Sequence, residues 1–211
     1  MIVDKKDFDQ RVFKFISVIQ FSKLHLIFNL LINKIIILIS NKLIMEKKDI
    51  VKQTNSLNNT WIVWIHKVYD KNWLKESYKQ IYSFNTIEGF WKFYKAIPDY
   101  STNMYFLMRE GVFPLWEDAK NRNGGTWSYI IEKDDINSHW IEMSAKMIGE
   151  IITSDNKHRN DINGISLSPR TNVAIIKIWN KTKSLEKSIS LNLDEDYLNN
   201  LRYKVHRKNK K

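Results

Sequence analysis

Residues 60–69, TWIVWIHKVY, alternate with a period of two. Trp61, Val63 and Ile65 fall on one face, and Ile62, Trp64 and His66 on the other. Such a segment reads as a β-strand, and strand-like segments recur at 79–84, 104–110, 126–132, 162–168, 171–179 and 202–206. Three helical segments interrupt them. One starts at Asn85-Thr86-Ile87-Glu88, a capping residue followed by Glu in the first turn, and runs to about residue 97, where Pro98 stops it. A second spans 138–152, with Trp140, Met143, Met147 and Ile151 on one stripe, and a third spans 184–201. Gly124-Gly125 is a turn between strands rather than a phosphate loop, and Pro169 sits at the bend of a hairpin formed by 162–168 and 171–179. Hairpins separated by helices predict an α+β fold, an antiparallel sheet with helices on one face.

A chain of 211 residues can bury a core without covalent staples. It has no cysteine, which excludes disulfides, thiolate metal sites and cysteine nucleophiles. Motifs for zinc proteolysis, phosphate loops and serine hydrolysis are absent. His25, His66, His139, His158 and His206 have no ligand-like spacing and read as surface or strand decoration. Asp134-Asp135 and Asp194-Glu195-Asp196 lie where helices start, and the helix dipole accounts for them. These features point to binding without turnover, with no cofactor and no metal. The net charge of +11 calls for an anionic partner: nucleic acid, nucleotide phosphates or a membrane surface. Lysine supplies most of that charge and shares A- and T-rich codons with the abundant Ile and Asn, so charge alone is a weak guide.

The composition changes near Met45. Residues 24–39, LHLIFNLLINKIIILI, are an apolar run with His25, Asn29, Asn33 and Lys34 inside it, shorter and more polar than a bilayer span. Three readings stand for residues 1–45: an extension upstream of the true start at Met45, a helix packed on a partner or on the domain, or a membrane anchor through residues 24–39. Residues 46–56 read as a flexible polar tail, and the binding domain as 57–211.

The eight tryptophans carry the functional signal. Trp73, in KNWLK, and Trp116, in PLWED, stand in polar loops, where indole rings usually have something to stack on. Glu117 adjoins Trp116, and a carboxylate can accept two parallel hydrogen bonds from the N–H groups of a guanine edge. Two rings and one carboxylate would recognise a guanine. On LNNTWIVWIHK (57–67), FNTIEGFWKFYKAI (84–97), GVFPLWEDAKNRNGGTW (111–127), HWIEMSAKMIGE (139–150) and AIIKIW (174–179), the chain resembles the eukaryotic translation initiation factor 4E family, which binds the messenger RNA cap.

That resemblance implies a curved antiparallel sheet with helices packed on its convex face, and a cytoplasmic protein that binds capped messenger RNA and promotes translation initiation. It makes Trp73 and Trp116 the rings that sandwich 7-methylguanine, whose positive charge turns stacking into a cation–π interaction. Glu117 would bind the base edge, the Trp116 backbone N–H the base oxygen, and Trp179 would touch the methyl group. Arg170 would bind phosphate. Lys177 would substitute for a family lysine whose position holds Ile175. A second surface, formed by Leu57, Ile87, Trp91, Ile141 and Glu142, would dock a helical peptide of the scaffold factor 4G type; the alternative for Trp91 is plain core between Phe90 and Phe93. The chain departs from the family at Asn55-Ser56-Leu57 and Ser144-Ala145-Lys146, which leaves a rival reading as a cap-binding repressor or decoy that does not engage the scaffold. Trp pairs also stack on sugars, so a carbohydrate- or ligand-binding β module is the reading from another class.

Overall fold

The computed structural model describes residues 55–183 and 190–206. The described residues belong to one compact unit, Thr54–Lys211. The readings of residues 1–45, and of the polar tail up to residue 54, lie outside the described residues. Among the described residues no helix is long and apolar enough to cross a membrane.

Seven strands form one sheet: β1 (Ser56–Lys67), β2 (Tyr78–Thr86), β3 (Asn103–Arg109), β4 (Gly125–Glu132), β5 (Ile162–Pro169), β6 (Val173–Asn180) and β7 (Arg202–Val205). Their spatial order is β2-β1-β3-β5-β6-β4-β7, and every neighbouring pair is antiparallel. Helices α1 (Ile87–Ala96), α2 (Ile136–Ile148) and α3 (Glu195–Asn199) complete the α+β fold.

The alternation in β1 sorts its side chains as the sequence predicts. Trp61 and Val63 are buried in the larger core with Leu107, Tyr129, Ile165, Leu167 and Ile176. Phe90, Phe93 and Tyr94 of α1, and Trp140, Met143 and Met147 of α2, close that core from the helical side. Each such side chain contributes about 1.5–3 kcal/mol by leaving water. The Thr86 hydroxyl caps α1, accepting from the Gly89 N–H at 3.0 Å. Gly164 permits close approach of β5 to β3, since a Cβ there would stand 2.3 Å from the Leu107 carbonyl oxygen. The opposite face of the sheet carries a smaller cluster: Tyr78, Met104, Phe106, Met108, Val112 and Trp179, with Trp64, Phe113, Leu115 and Trp116 packed against it.

Two expectations are corrected. The helix read over 184–201 is, among the described residues, only the five residues of α3. The stretch before it is extended because Leu191 bridges Thr153 and is buried, and the Asn192 N–H donates to the Ile152 carbonyl at 2.9 Å. The second helical stripe loses Ile151, which lies beyond the end of α2 and is exposed, while Trp140, Met143 and Met147 hold their places in the core.

Candidate functional site

Trp179, Trp116 and the loops bearing Trp73 and Glu117 meet on the face opposite the helices. Strand alternation puts Trp179 there, because Ala174, Ile176 and Ile178 of β6 turn to the helical core. The Trp179 ring is buried, its Nε1–H donates to the Ser166 hydroxyl at 3.0 Å, and Phe106 meets it edge-on. A row of ring contacts then leads across the sheet from Phe106 to Tyr78 (5.4 Å), from Tyr78 to His66 (4.9 Å) and from His66 to Trp73 (4.3 Å). Trp73 itself is half exposed, on the loop between β1 and a short 3-10 turn at Lys75–Ser77.

The loop holding Trp116 and Glu117 is riveted by Asn121. This side chain is fully buried, and its Nδ2 donates to the carbonyls of Phe113 and Leu115, both at 2.8 Å. The Asn121 Oδ1 accepts from Asn163 Nδ2 at 2.8 Å, which ties the loop to β5. Trp116 is thereby packed against the smaller cluster, while the neighbouring Glu117 stays exposed. Among the described residues none hydrogen-bonds or ion-pairs with the Glu117 carboxylate. Burial, and then the negative charge of Glu117, push the Tyr78 hydroxyl above its ordinary value, which places that carboxylate within electrostatic reach of the ring cluster.

Lys177 shares the strand face of Trp179, with Ser166 and Ser128 as its partners in the flanking strands. Burial, then the charges of Arg170 and Lys204, hold its amine below the usual lysine range. Three cations near one another repel, and an anion placed among them would relieve that repulsion. His206 lies against Trp179 at 5.2 Å and engages the Asn121 carbonyl through Nδ1 at 2.7 Å. Burial holds its ring below the ordinary histidine value.

Sequence reasoning missed several of these groups. Three of the histidines are not mere decoration: His66 and His139 are buried, His139 Nε2 lies 2.9 Å from the Tyr129 hydroxyl, and His206 packs on Trp179. His66 was discoverable, since alternation put it on the face of Trp64. Tyr78, Lys204 and His206 had no local signal. β7 reaches the site by pairing with β4, from which it is separated by some seventy residues of chain.

On the helical side, Ile87 and Trp91 are 41% and 44% exposed, so Trp91 is not core; Phe90 and Phe93 fill that role. Leu57 and Ile141 are half-buried against the larger core, and Glu142 is exposed and paired with Lys146 at 2.8 Å. Among the described residues no group of three His, Asp or Glu side chains is placed to hold a metal ion.

The family model for eukaryotic initiation factor 4E matches residues 56–211, nearly three quarters of the chain. The chain belongs to the eukaryotic initiation factor 4E family. It is 30% identical to factor 4E of Candida albicans over 155 residues, covering 68% of this chain and 72% of that one. It is 32% identical to factor 4E of Xenopus laevis over 131 residues, covering 58% of this chain and 60% of that one. The chain thus spans less than two thirds of the frog relative and somewhat more of the fungal one. Among solved structures, the fold resembles Caenorhabditis elegans eIF4E-3 in complex with the 4E-binding protein Mextli and cap analog (TM-score 0.60, 22% identity, 73% of this chain and 94% of that chain). It also resembles Ascaris suum eIF4E-3 with m7G cap (TM-score 0.59, 23% identity, 75% of this chain and 94% of that chain). The 4E family is one of translation initiation factors, not of enzymes, and the curved seven-stranded sheet with its helices is the factor 4E architecture.

Proposed function

We propose that this factor 4E relative binds the 7-methylguanosine cap of messenger RNA and serves translation initiation in the cytoplasm. In this reading Trp73 and Trp116 sandwich the methylated base and Glu117 accepts its edge N–H groups. The Trp116 backbone N–H donates to the base oxygen, and Trp179 faces the methyl group. Arg170 and Lys177 take the phosphates, and Lys204 joins them. The observation that carries it is the pairing, on one side of one sheet, of an unengaged carboxylate beside a ring cluster with three mutually repelling cations. A neutral sugar has no use for those cations, whereas a cationic base with a triphosphate uses both charges. Solved relatives of the same fold are described with cap analog and with m7G cap.

The exposed pair Ile87 and Trp91, with Leu57, Ile141 and Glu142 nearby in the family pattern, supports a second partner: a helical peptide of the scaffold type laying apolar anchors on α1. One observation favours the repressor or decoy reading instead. Glu142 is already engaged by Lys146, and the Ser144 side chain between them in sequence is fully buried, so this part of α2 offers no leucine-rich groove. The two readings part on one measurement, binding of a scaffold-type peptide to the Trp91 face.

The test of the main reading is quenching of tryptophan fluorescence by 7-methylguanosine triphosphate and by guanosine triphosphate. Marked preference for the methylated nucleotide is expected. Equal affinities would refute it.

A further inference from the structure

The loop that bears Trp73 is short of apolar cover: Tyr69, Leu74 and Trp73 itself are all exposed. Its conformation is nevertheless closely specified. The Asp70 N–H donates to the Lys67 carbonyl at 3.1 Å, the Asn72 N–H to Asp70 Oδ1 at 2.8 Å, and the Leu74 N–H to Asn72 Oδ1 at 3.0 Å. One buried side chain reaches both ends of this loop. His66, 1% exposed, places Nδ1 at 2.9 Å from the Lys67 carbonyl oxygen and Nε2 at 2.7 Å from the Asn72 carbonyl oxygen. Its ring lies flat against the Trp73 indole, 4.3 Å away and 2° from parallel.

Two hydrogen-bonding contacts and a parallel stack are more than packing requires. A phenyl ring would fill the same space between Tyr78 and Trp73 without engaging either carbonyl. Carbonyl oxygens only accept, and a neutral imidazole has one N–H, so the ring donates to one of the two carbonyls; donated from Nε2, that bond ties β1 to the Asn72 carbonyl of the loop. The ring thereby braces the loop against β1 and covers one face of the indole. Half of the Trp73 surface remains exposed beside that stack.

We propose that His66 is the positioning residue of the base site, holding Trp73 in place before ligand arrives so that one indole face is presented to the incoming base. The proposal rests on the cap-binding reading for what enters; the clamp itself does not depend on it. A half-exposed indole on an unclamped loop would sample several rotamers, and ordering it would be charged against binding. His66 removes that charge in advance. It acts through Trp73 and does not touch the base.

The test uses the full chain and four variants: His66→Leu, His66→Phe, Trp73→Ala and the His66→Leu/Trp73→Ala double substitution, each titrated with 7-methylguanosine triphosphate. His66→Leu is expected to weaken binding by roughly three- to tenfold, the range of a lost aromatic stack. His66→Phe, which restores a flat ring without the carbonyl contacts, is expected to recover part of that loss and covers the case in which leucine disturbs the fold. In the Trp73→Ala background, His66→Leu should cause no further loss. An equal loss with and without Trp73, or wild-type affinity in both His66 variants, would overturn the proposal. A second readout needs no ligand. The indole N–H magnetic resonance signal that disappears in Trp73→Ala should be single and sharp in the wild-type chain and should broaden or split in His66→Leu; an unchanged signal also overturns the clamp. If Trp73→Ala binds the nucleotide like wild type, the base-site reading fails instead, and the ligand-free signal still decides whether His66 fixes the ring.

Discussion

Arg109 Nη1 stands 2.9 Å from Glu150 Oε1, joining the end of β3 to the residue beyond the α2 C-terminus, and each side chain is only about a tenth exposed. The guanidinium makes two further hydrogen bonds. Its Nε donates to the Ile162 carbonyl at 2.8 Å, its Nη2 to the Arg159 carbonyl at 3.2 Å, and its plane lies over the Trp61 ring. Glu150 accepts from Asn58 and Asn59 as well. Removing one partner of such a pair strands a charge at low exposure. Glu150→Ala is therefore expected to cost about 3–5 kcal/mol, measured by urea unfolding.

The same pair makes the domain acid-sensitive. Burial would raise the Glu150 pKa, but hydrogen bonds from Arg109 and Asn58 and the Arg109 charge outweigh it, and the net shift is downward. A carboxyl whose folded value lies below its unfolded one adds stability above the unfolded value and loses it as pH falls through the folded one. Burial depresses His139 too, so its share fades earlier, from the ordinary histidine value of 6.5 downward. Stability should thus decline in two stages on acidification, and His139→Gln should diminish the first, to which the depressed His206 also contributes. Thermal melting across pH reads both.

At the base site, Trp116→Ala is expected to cost about 1–3 kcal/mol of cap-analogue affinity, the range for a base stacked on an aromatic side chain. Asn121→Ala should weaken binding without touching ligand, since the two carbonyls of Phe113 and Leu115 would lose their shared donor. Calorimetric titration of both variants with methylated and unmethylated nucleotide checks these outcomes.

At the phosphate cluster, Lys177→Ala, Arg170→Ala or Lys204→Ala should weaken the methylated triphosphate more than the methylated nucleoside, and added salt should act in the same direction. The depressed Lys177 amine loses its proton at lower pH than an ordinary lysine. Triphosphate affinity should accordingly fall at alkaline pH before the other lysines titrate, and that early fall should vanish in Lys177→Ala. Unchanged triphosphate binding in Lys177→Ala would remove it from the site.

On the helical side, Trp91→Ala should abolish binding of a scaffold-type helical peptide and leave the unfolding midpoint nearly unchanged, because the ring is 44% exposed. Phe90→Ala, one residue earlier and 1% exposed, should instead destabilise by about 3–5 kcal/mol. Peptide affinity and melting temperature measured on both variants separate surface from core.

For residues 1–44, the expectation is that deletion leaves cap-analogue affinity unchanged and raises solubility, since the assigned site uses no residue of that segment. Nucleotide titration of the shortened and full chains, with sedimentation against membranes, checks this. Lost affinity would mean that the segment supports the domain.

How much could be read in advance follows from the range of each signal. Alternation in 60–69 and the Thr86 cap are local, so the strand, the helix and their buried faces were legible in the residues themselves. The loop placement of Trp73, Trp116 and Glu117 was legible because that context is local too. Distant pairing was not. Nothing near Leu191 announces that it bridges Thr153, and that contact holds 190–194 out of the predicted helix. Lys204 and His206 reach Lys177 and Trp179 only because β7 adds to the edge of β4. Glu150 shows the division most plainly. Gly149 precedes it and is the residue suited to a left-handed helix end, yet Gly149 stays right-handed and Glu150 takes φ 57°. The cost of that backbone is offset by an ion pair from Arg109 of β3 and by hydrogen bonds from the side-chain amides of Asn58 and Asn59 of β1, partners that exist only once the sheet has assembled.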